Sequence, residues 1–253
     1  MTRRPIRIIP IEGIPIVDKG DDIAQLICEA SARQGVSIRD GDVIVVSHVV
    51  VSRSEGRVMD LRTVSPSPFA ERVAALYGKD PRLVELVLRD SKSVVRMGDG
   101  HMITETRHGL ICANAGVDRS NVPGDDVVAL LPEDPDGSAE RIRGRIRELT
   151  GRDVAVIISD THGRPIREGE INVAIGVAGL SPILDRRGEK DLFGYVLRVK
   201  QIAIADELAS AAELVIGQAD EGIPVAIVRG YRYPPGDGKA SELIRPREKD
   251  LFI

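Results

Sequence analysis

Cysteine and histidine are both scarce in this sequence. Its 253 residues include only Cys28 and Cys112, each within an apolar stretch, and their positions lack any metal-ligand spacing. Thiols in such surroundings are expected to be buried, and to stay reduced in the cytoplasm. The four histidines form no zinc pattern such as His-x-x-x-His. Neither residue type therefore indicates a zinc site.

Long apolar runs are also absent. No stretch approaches the ~20 apolar residues needed to cross a bilayer, and no secretion signal is visible at the N-terminus. The net charge of -4 argues against a nucleic-acid partner bound through bulk positive charge. We therefore expect a cytoplasmic protein with neither a membrane nor a nucleic-acid partner.

A strict alternation of strands and helices is missing as well. Apolar patterning predicts strands at residues 6–11, 43–51, 93–97, 102–107, 110–114, 154–159, 172–178, 195–200 and 225–229. Helices are predicted to begin near residues 22, 67, 80, 136 and 202, and residues 231–246 read as a polar loop. Strands that are partly consecutive indicate an α+β fold with mixed, largely antiparallel sheets and flanking helices. The length suits a single unit of residues 1–253 or two interleaved subdomains.

Oxygen-bearing side chains follow three apolar segments. The segment at 154–159 is followed by Asp160, Thr161 and Arg164, and the segments at 110–113 and 214–216 are followed by similar polar turns. Each could be an ordinary surface turn, because Asn, Asp and Gly dominate turns for conformational reasons. Carboxylate and hydroxyl oxygens also hold Mg²⁺ or Mn²⁺. Taken together, the three turns predict one site assembled from separate loops.

The Walker A motif, Gly-x-x-x-x-Gly-Lys-Ser/Thr, is absent from the sequence. Any nucleotide site is therefore not of the P-loop kind. The turn at Glu12 and Gly13 could offer backbone amides to a phosphate or a base edge, or it could be an ordinary loop after the first strand.

A series of short segments resembles a known family. They are PIEGIP at 10–15, DGDVIVVSH at 40–48, SRSEGR at 52–57, NAGVDRSN at 114–121, DPDGSAE at 134–140, ISDTHGR at 158–164 and GQADEGIP at 217–224. In this order they resemble the coenzyme F420-0:L-glutamate ligases, GTP-dependent enzymes that extend the tail of the deazaflavin coenzyme F420. The resemblance covers nearly the whole chain.

The resemblance implies an activity and a set of site residues. The activity is ligation of L-glutamate to F420-0 through an acyl phosphate, then γ-linked addition of further glutamate, with release of GDP and phosphate. One divalent cation, Mg²⁺ or Mn²⁺, would be held by Asp118 and Asp160, and a second by Thr161 and Gln218; K⁺ is a further candidate. The implied nucleotide contacts are Glu12, Gly13, Ile14, Pro15, His48, Val49, Arg53, Asn121, Ile216, Gly217, Gln218, Ala219, Asp220, Glu221, Gly222 and Ile223. An intertwined homodimer is implied as well.

Some positions depart from the family's pattern. Arg53 stands where the family commonly has Lys, and His48-Val49 stands where some members have Ser-Thr. No residue is identified as a general base, and His162 receives no catalytic role; Arg164 and Arg167 are candidates for the glutamate carboxylates. Two other functions remain compatible with carboxylate-rich loops. One is a metal-dependent nucleotide hydrolase or kinase, and the other is a non-catalytic deazaflavin- or nucleotide-binding module.

Overall fold

The computed structural model describes residues 5–98 and 100–250. The strands are β1 Arg7–Pro10, β2 Val43–Ser47, β3 Val58–Asp60, β4 Ser91–Gly98, β5 His101–Thr106, β6 Ile111–Ala113, β7 Val127–Ala129, β8 Ala155–Arg164, β9 Arg167–Ala178, β10 Leu184–Asp185, β11 Gln201–Ile202 and β12 Val225–Arg229. The helices are α1 Ile23–Arg33, α2 His48–Ser54, α3 Pro68–Tyr77, α4 Pro81–Asp90, α5 Pro135–Thr150 and α6 Ile204–Ile216.

A five-stranded sheet in the order β1-β12-β2-β8-β9 forms the main core. Only β2 and β8 run parallel, whereas its other pairs are antiparallel. Side chains alternate between the two faces of a strand. Ile44 and Val46 accordingly pack toward α1 and α5. Val43 and Val45 pack toward α6 on the opposite face. Because both faces are covered by helices, the central strands are apolar throughout.

A smaller three-stranded antiparallel sheet, β4-β5-β6, has its own helical cover. Met102 of β5 is fully buried against the α3–α4 pair, where Val73 and Val84 pack with it. Both helices begin as the sequence predicts, because Ser67 and Asp80 cap them just before a proline. The α+β class with mostly antiparallel sheets is therefore confirmed.

Three sequence predictions of strands need correction. The predicted strand 43–51 ends at Ser47, and α2 begins at His48, because pairing with β8 stops at Ser47 and Ser159. The predicted strand 195–200 is largely absent, since only a bridge between Lys190 and Val196 forms there. The strand predicted at 154–159 continues to residue 164, so Asp160 lies inside a strand rather than at its end.

The polar segment 231–246 is more ordered than predicted. It includes a short 3₁₀ helix, Ala240–Leu243, whose first residue is buried against the core that α6 covers. Across residues 5–98 and 100–250, no helix is long and apolar enough to cross a membrane.

Candidate functional site

One large cavity, of about 1650 Å³, lies between the two main sheets. The hairpin of β8 and β9, the start of α2 and the loop after α6 border it from the five-stranded sheet. The segment 109–121 and the outer face of β4 and β5 border it from the three-stranded sheet. The three polar segments singled out in the sequence therefore meet at one cavity, although the one at residues 160–164 is part of strand β8 rather than a turn.

Asp160 occupies the β8 strand on the cavity wall and is only 8% exposed. Its Oδ1 atom accepts the backbone N–H of Thr161 at 2.8 Å and lies 3.1 Å from His48 Nε2. Its Oδ2 atom lies 2.9 Å from His162 Nε2. Since an ionised carboxylate only accepts hydrogen bonds, both imidazoles donate through Nε2. The carboxylate is thus held from both sides.

This arrangement keeps Asp160 ionised. Burial by itself would raise the pKa of the Asp160 carboxyl, but the charges and hydrogen bonds of His48 and His162 outweigh it and hold that pKa well below its usual range. Burial likewise opposes protonation of His48, yet Asp160, with a smaller contribution from Asp118, raises the pKa of that imidazole. The same negative charge acts on Cys112. Burial is the larger cause and Asp160 the smaller one, and together they raise the pKa of the Cys112 thiol to about 12. That thiol is therefore not a nucleophile at neutral pH.

A second network links Thr161 with the loop after α6. Thr161 Oγ1 lies 3.0 Å from Gln218 Oε1 and 2.8 Å from Asn172 Oδ1. Gln218 Nε2 donates to Asn172 Oδ1 at 3.1 Å and to Glu213 Oε1 at 3.0 Å. Gln218 is therefore oriented with its amide oxygen toward Thr161.

Asp118 lies in the segment 109–121, which borders the cavity from the three-stranded sheet. Its backbone bridges to Ala129, and its carboxylate accepts the Ser120 backbone N–H at 2.7 Å and the Ser120 hydroxyl at 2.6 Å. The neighbouring Ala115 and Asn121 have positive φ angles of 56° and 52°, which are uncommon for residues other than glycine. The tight local turns bring Asp118 and Asn121 to the cavity.

Arg53 uses its guanidinium to join two loops. Its Nε donates to the Val17 carbonyl at 2.6 Å and its Nη1 to the Asn121 carbonyl at 3.3 Å. A lysine could not make both contacts with one planar group. The departure from the family's usual Lys therefore has a structural consequence, because it ties the loop at residues 14–17 to the one at 121.

The loop after α6 depends on a glycine. Gly217 has a positive φ of 76°, and a Cβ placed there would collide with the Glu221 carboxylate. Glu221 folds back to accept the Ala219 backbone N–H at 2.8 Å, and this hydrogen bond is the largest cause of its lowered pKa. The loop thus turns tightly beside Gln218.

Most of the predicted site residues line this cavity. They are Ile14, Pro15, His48, Val49, Arg53, Asp118, Asn121, Asp160, Thr161, Ile216, Gly217, Gln218, Ala219, Glu221, Gly222 and Ile223. Glu12, Gly13 and Asp220 are not among the lining residues. The backbone of Glu12 instead donates to Gln34, and the Gly13 carbonyl accepts from Arg33. The functions of these residues remain predictions.

The sequence did not point to two supporting residues. Asn172 is buried on β9 directly opposite Thr161, and Glu213 on α6 accepts both the Asn172 N–H and the Gln218 amide. Asn172 is the first residue of the strand predicted at 172–178 and Glu213 lies in the predicted helix, so neither belongs to the three polar segments that follow apolar runs. Only the register of the hairpin and the packing of α6 bring them to the site.

The predicted cation ligands have suitable chemistry. Within the part of the chain that the structure describes, no group of three or more His, Cys, Asp or Glu side chains is placed to hold a metal. The predicted sets instead mix carboxylates with neutral oxygens, which Mg²⁺ and Mn²⁺ accept. Neighbouring ligands of an octahedral Mg²⁺, each about 2.1 Å from it, are about 3 Å apart. The Thr161 and Gln218 oxygens, 3.0 Å apart, match that spacing.

The carboxylates also retain free acceptor capacity. A carboxylate offers about four lone-pair sites. Asp160 has three polar contacts and Asp118 has two. The residues therefore fit hard cations as additional partners.

The fold and the cavity define a class of protein: an α+β protein with an ionised, buried carboxylate and further oxygen-bearing side chains around one large cavity. Comparison with known proteins gives the particular family. The F420-0:Gamma-glutamyl ligase family matches residues 13–230, and the chain belongs to this family.

Three related proteins match this chain over nearly the full length of both sequences. The chain is 53% identical to Coenzyme F420:L-glutamate ligase of Methanothermobacter thermautotrophicus over 249 residues, covering 98% of each chain. It is 49% identical to the protein of that name from Methanopyrus kandleri, covering 96% of each chain. With the Methanocaldococcus jannaschii protein of the same name it shares 47% identity, over 99% of this chain and 98% of the relative. The resemblance inferred from the short sequence segments is therefore confirmed, and with it the assignment to the ligases.

Proposed function

We propose that this protein joins L-glutamate to coenzyme F420-0 in an amide bond, using GTP, and then adds further glutamate through γ-linkages. The observation that carries the proposal is the meeting of the predicted nucleotide and cation residues at one cavity, within a chain of this family. A volume of about 1650 Å³ exceeds the roughly 300–1,000 Å³ of a typical single-ligand site. Room for several substrates is what a ligation requires.

Amide formation needs an activated carboxylate. In the proposed reaction an oxygen of the acceptor carboxylate attacks the γ-phosphorus of GTP, and the bond to the β-phosphate oxygen breaks to release GDP. The amine of glutamate then attacks the acyl carbon, and the carbon–oxygen bond to phosphate breaks. The amine loses a proton, so the products are an amide, phosphate and GDP. The acyl phosphate must be kept from water between the two steps.

The residues of the chain supply positions and charge for this chemistry. His48 and His162 hold Asp160 ionised and fixed, and Asn172 and Glu213 orient Gln218 toward Thr161. Asp118 and Asp160 would hold one divalent cation, and Thr161 and Gln218 the other, with K⁺ a further candidate. Such cations, when bound, neutralise phosphate oxygens and stabilise attacking and leaving groups. Because Thr161 and Gln218 are neutral, occupancy of their site should depend on the nucleotide.

The nucleotide is proposed to lie along the wall formed by α2, residue 121 and the loop after α6. Arg53 and Asn121 meet on this wall, and the 216–223 loop faces the same cavity. Glu12, Gly13 and Asp220, although predicted from the family, do not line the cavity but adjoin the lining residues Ile14, Ala219 and Glu221.

We also propose that the protein is a homodimer built through an exposed arm, defined as residues 186–200. The arm extends from the short β10–β11 ladder. Its side chains Leu192, Phe193 and Val199 are 99%, 96% and 89% exposed. Several large apolar side chains exposed on one arm are typical of a protein–protein contact. The intertwined dimer implied by the family provides a second copy of the chain to cover them.

An omission experiment tests the ligation. The protein is incubated with GTP, Mn²⁺, L-glutamate and F420-0, and with each component left out in turn, while phosphate and product mass are measured. We expect phosphate in a fixed ratio to a product heavier by one glutamate residue, and little phosphate without F420-0. Phosphate release that does not need F420-0 would indicate a nucleotide hydrolase. Binding of substrates without any turnover would indicate a non-catalytic module.

A further inference from the structure

The outer face of the three-stranded sheet forms a wall of the cavity that none of the predicted site residues uses. Directly opposed residues of antiparallel strands share a face. Arg96 of β4 is paired with Ile103 of β5, and Ser93 with Glu105. Ile103 and Glu105 are two residues apart, so all four side chains share this face, opposite the one that α3 and α4 cover.

The segment formed by residues 240–250 crosses this face and is held there by polar and apolar contacts. Near its start, the Ala240 backbone N–H donates to Asp136 Oδ1 at 3.0 Å. Farther on, the Arg247 guanidinium donates to Glu105, whose side chain is only 8% exposed and also accepts from Lys92 at 3.0 Å. Between these points Ile244 packs so closely on Gly109 that an added Cβ there would approach Ile244 Cδ1 to 3.3 Å.

This segment places Arg245 on the cavity, two residues before the Arg247–Glu105 ion pair. Arg96 lines the same cavity from the sheet. Within residues 5–98 and 100–250, neither guanidinium has a hydrogen-bond or ion-pair partner, unlike Arg247 and Arg53. Arg164 also lines the cavity, and its Nε atom is buried without a partner. Guanidinium groups without partners fit carboxylate and phosphate oxygens, which they bind through paired hydrogen bonds.

Apolar side chains adjoin both arginines: Ile103 is paired with Arg96 across β4 and β5, and Ile244 directly precedes Arg245. Ile103, Leu110, Ile111 and Ile244 line the cavity beside them. A small, fully charged molecule such as glutamate gains nothing from apolar contacts of this kind, whereas a molecule with a flat, largely apolar body and an acidic tail gains from both. None of the predicted nucleotide residues lies on β4, β5 or β6 or within residues 240–250; Arg53 is on α2, and Asn121 follows β6. The acceptor is therefore the substrate that suits this wall.

We propose that Arg96 and Arg245 form an anion subsite that binds an acidic group of the deazaflavin acceptor, with Ile103 and Ile244 against its body. This inference rests on the proposed function for the identity of the acceptor. It assigns the C-terminal segment a part in substrate binding, because that segment carries Arg245.

Calorimetry with F420-0, in the absence of GTP and glutamate, tests the subsite. The variants are Arg96→Gln, Arg245→Gln and their combination. Arg72→Gln is the matched control, since Arg72 is an exposed arginine on α3 away from the cavity. We expect each cavity variant to raise the Kd for F420-0 roughly ten- to a hundredfold, as expected for loss of a charge-assisted hydrogen bond. Arg72→Gln should leave it unchanged, and all variants should keep the wild-type melting temperature.

Steady-state kinetics of the same variants show which of the three anionic substrates, F420-0, GTP or glutamate, the subsite binds. The subsite requires a raised KM for F420-0 with KM for GTP and for glutamate near wild type. A rise confined to GTP or to glutamate, or unchanged binding of F420-0 in the double variant, would overturn the assignment. If wild type binds F420-0 through these arginines but makes no amide, the subsite stands and the proposed ligation fails.

Discussion

Asp160 shows how position alone changes the chemistry of a carboxylate. Burial by itself favours the neutral acid, yet two imidazoles and the Thr161 N–H leave Asp160 charged. His48 provides one imidazole from the first residue of α2. It is 3% exposed, and its Nδ1 is buried without a hydrogen-bond partner among the residues that the structure describes. A fixed negative charge facing the cavity is the residue-scale basis for the proposed cation binding.

Asp160→Asn should abolish ligation while the protein stays folded. The amide keeps the size of the carboxylate but removes its charge and turns an NH₂ group toward an imidazole N–H. Loss of such a group around a metal is expected to cost at least ~10–100-fold in affinity or activity. Ligation rate and Mn²⁺ dependence are measured beside Asp125→Asn, an exposed carboxylate outside the cavity. Wild-type rate and metal dependence in Asp160→Asn would remove this residue from the site.

Helix α1 depends on one side chain for its start and for its attachment. Asp22 accepts the Gln25 N–H at 3.0 Å as the N-cap, and it accepts from Arg145 of α5 at 2.8 Å. Burial opposes ionisation, but the hydrogen bonds and charge of Arg145 together with the Gln25 N–H outweigh it, so the pKa of Asp22 lies below its ordinary value. The two helices that cover one face of the large sheet are therefore joined at the cap.

Asp22→Ala should lower the free energy of unfolding by about 0.5–2 kcal/mol, the usual cost of a lost N-cap. Because the folded pKa is depressed, this contribution is present above the unfolded value near pH 4 and is lost as pH falls through the folded pKa. Urea unfolding of wild type and variant at neutral pH and below pH 4 measures the difference. Asp22→Asn, which keeps a cap but not the charge, should lose less at neutral pH. A difference that grows toward acid would contradict this account.

At the scale of the whole molecule, the cavity lies between two sheets, each of which has its own hydrophobic core. The large sheet contributes the hairpin with Asp160, and the small sheet contributes the wall with Arg96. Residues 240–250 run from the large sheet to the small one. Ala240 is hydrogen-bonded to Asp136 on a helix that covers the large sheet, and Arg247 is paired with Glu105 of the small sheet. The segment that carries Arg245 is therefore attached to both sheets.

The exposed arm, residues 186–200, also concerns the whole molecule, because its large apolar side chains are not buried by any part of the described chain. Leu192→Glu combined with Phe193→Glu should convert a dimer into a monomer, since charges would be buried without partners at the contact. Light scattering coupled to size exclusion gives the mass. Leu76→Glu, at an equally apolar residue of α3 that is 79% exposed, serves as the control and should stay dimeric. A monomeric wild type would rule out the arm as a dimer contact.

Local sequence determined much of this protein. The caps at Ser67 and Asp80, the apolar runs of β2 and β8, and the polar segments that carry Asp118 and Asp160 can all be read without a structure, because capping and side-chain alternation act over a few residues. The order of the short segments was also enough to indicate the family, which the comparisons confirm.

Tertiary structure alone decided how those pieces meet. Asn172 contacts Thr161 through the register of a hairpin, and Gln218 reaches both from the end of α6. The change from strand to helix at His48 follows from where pairing with β8 ends, which the apolar pattern of 43–51 does not reveal. Arg245 lies on the cavity because Arg247, two residues on, pairs with a distant strand. Such contacts join residues far apart in the chain, so no local pattern could specify them.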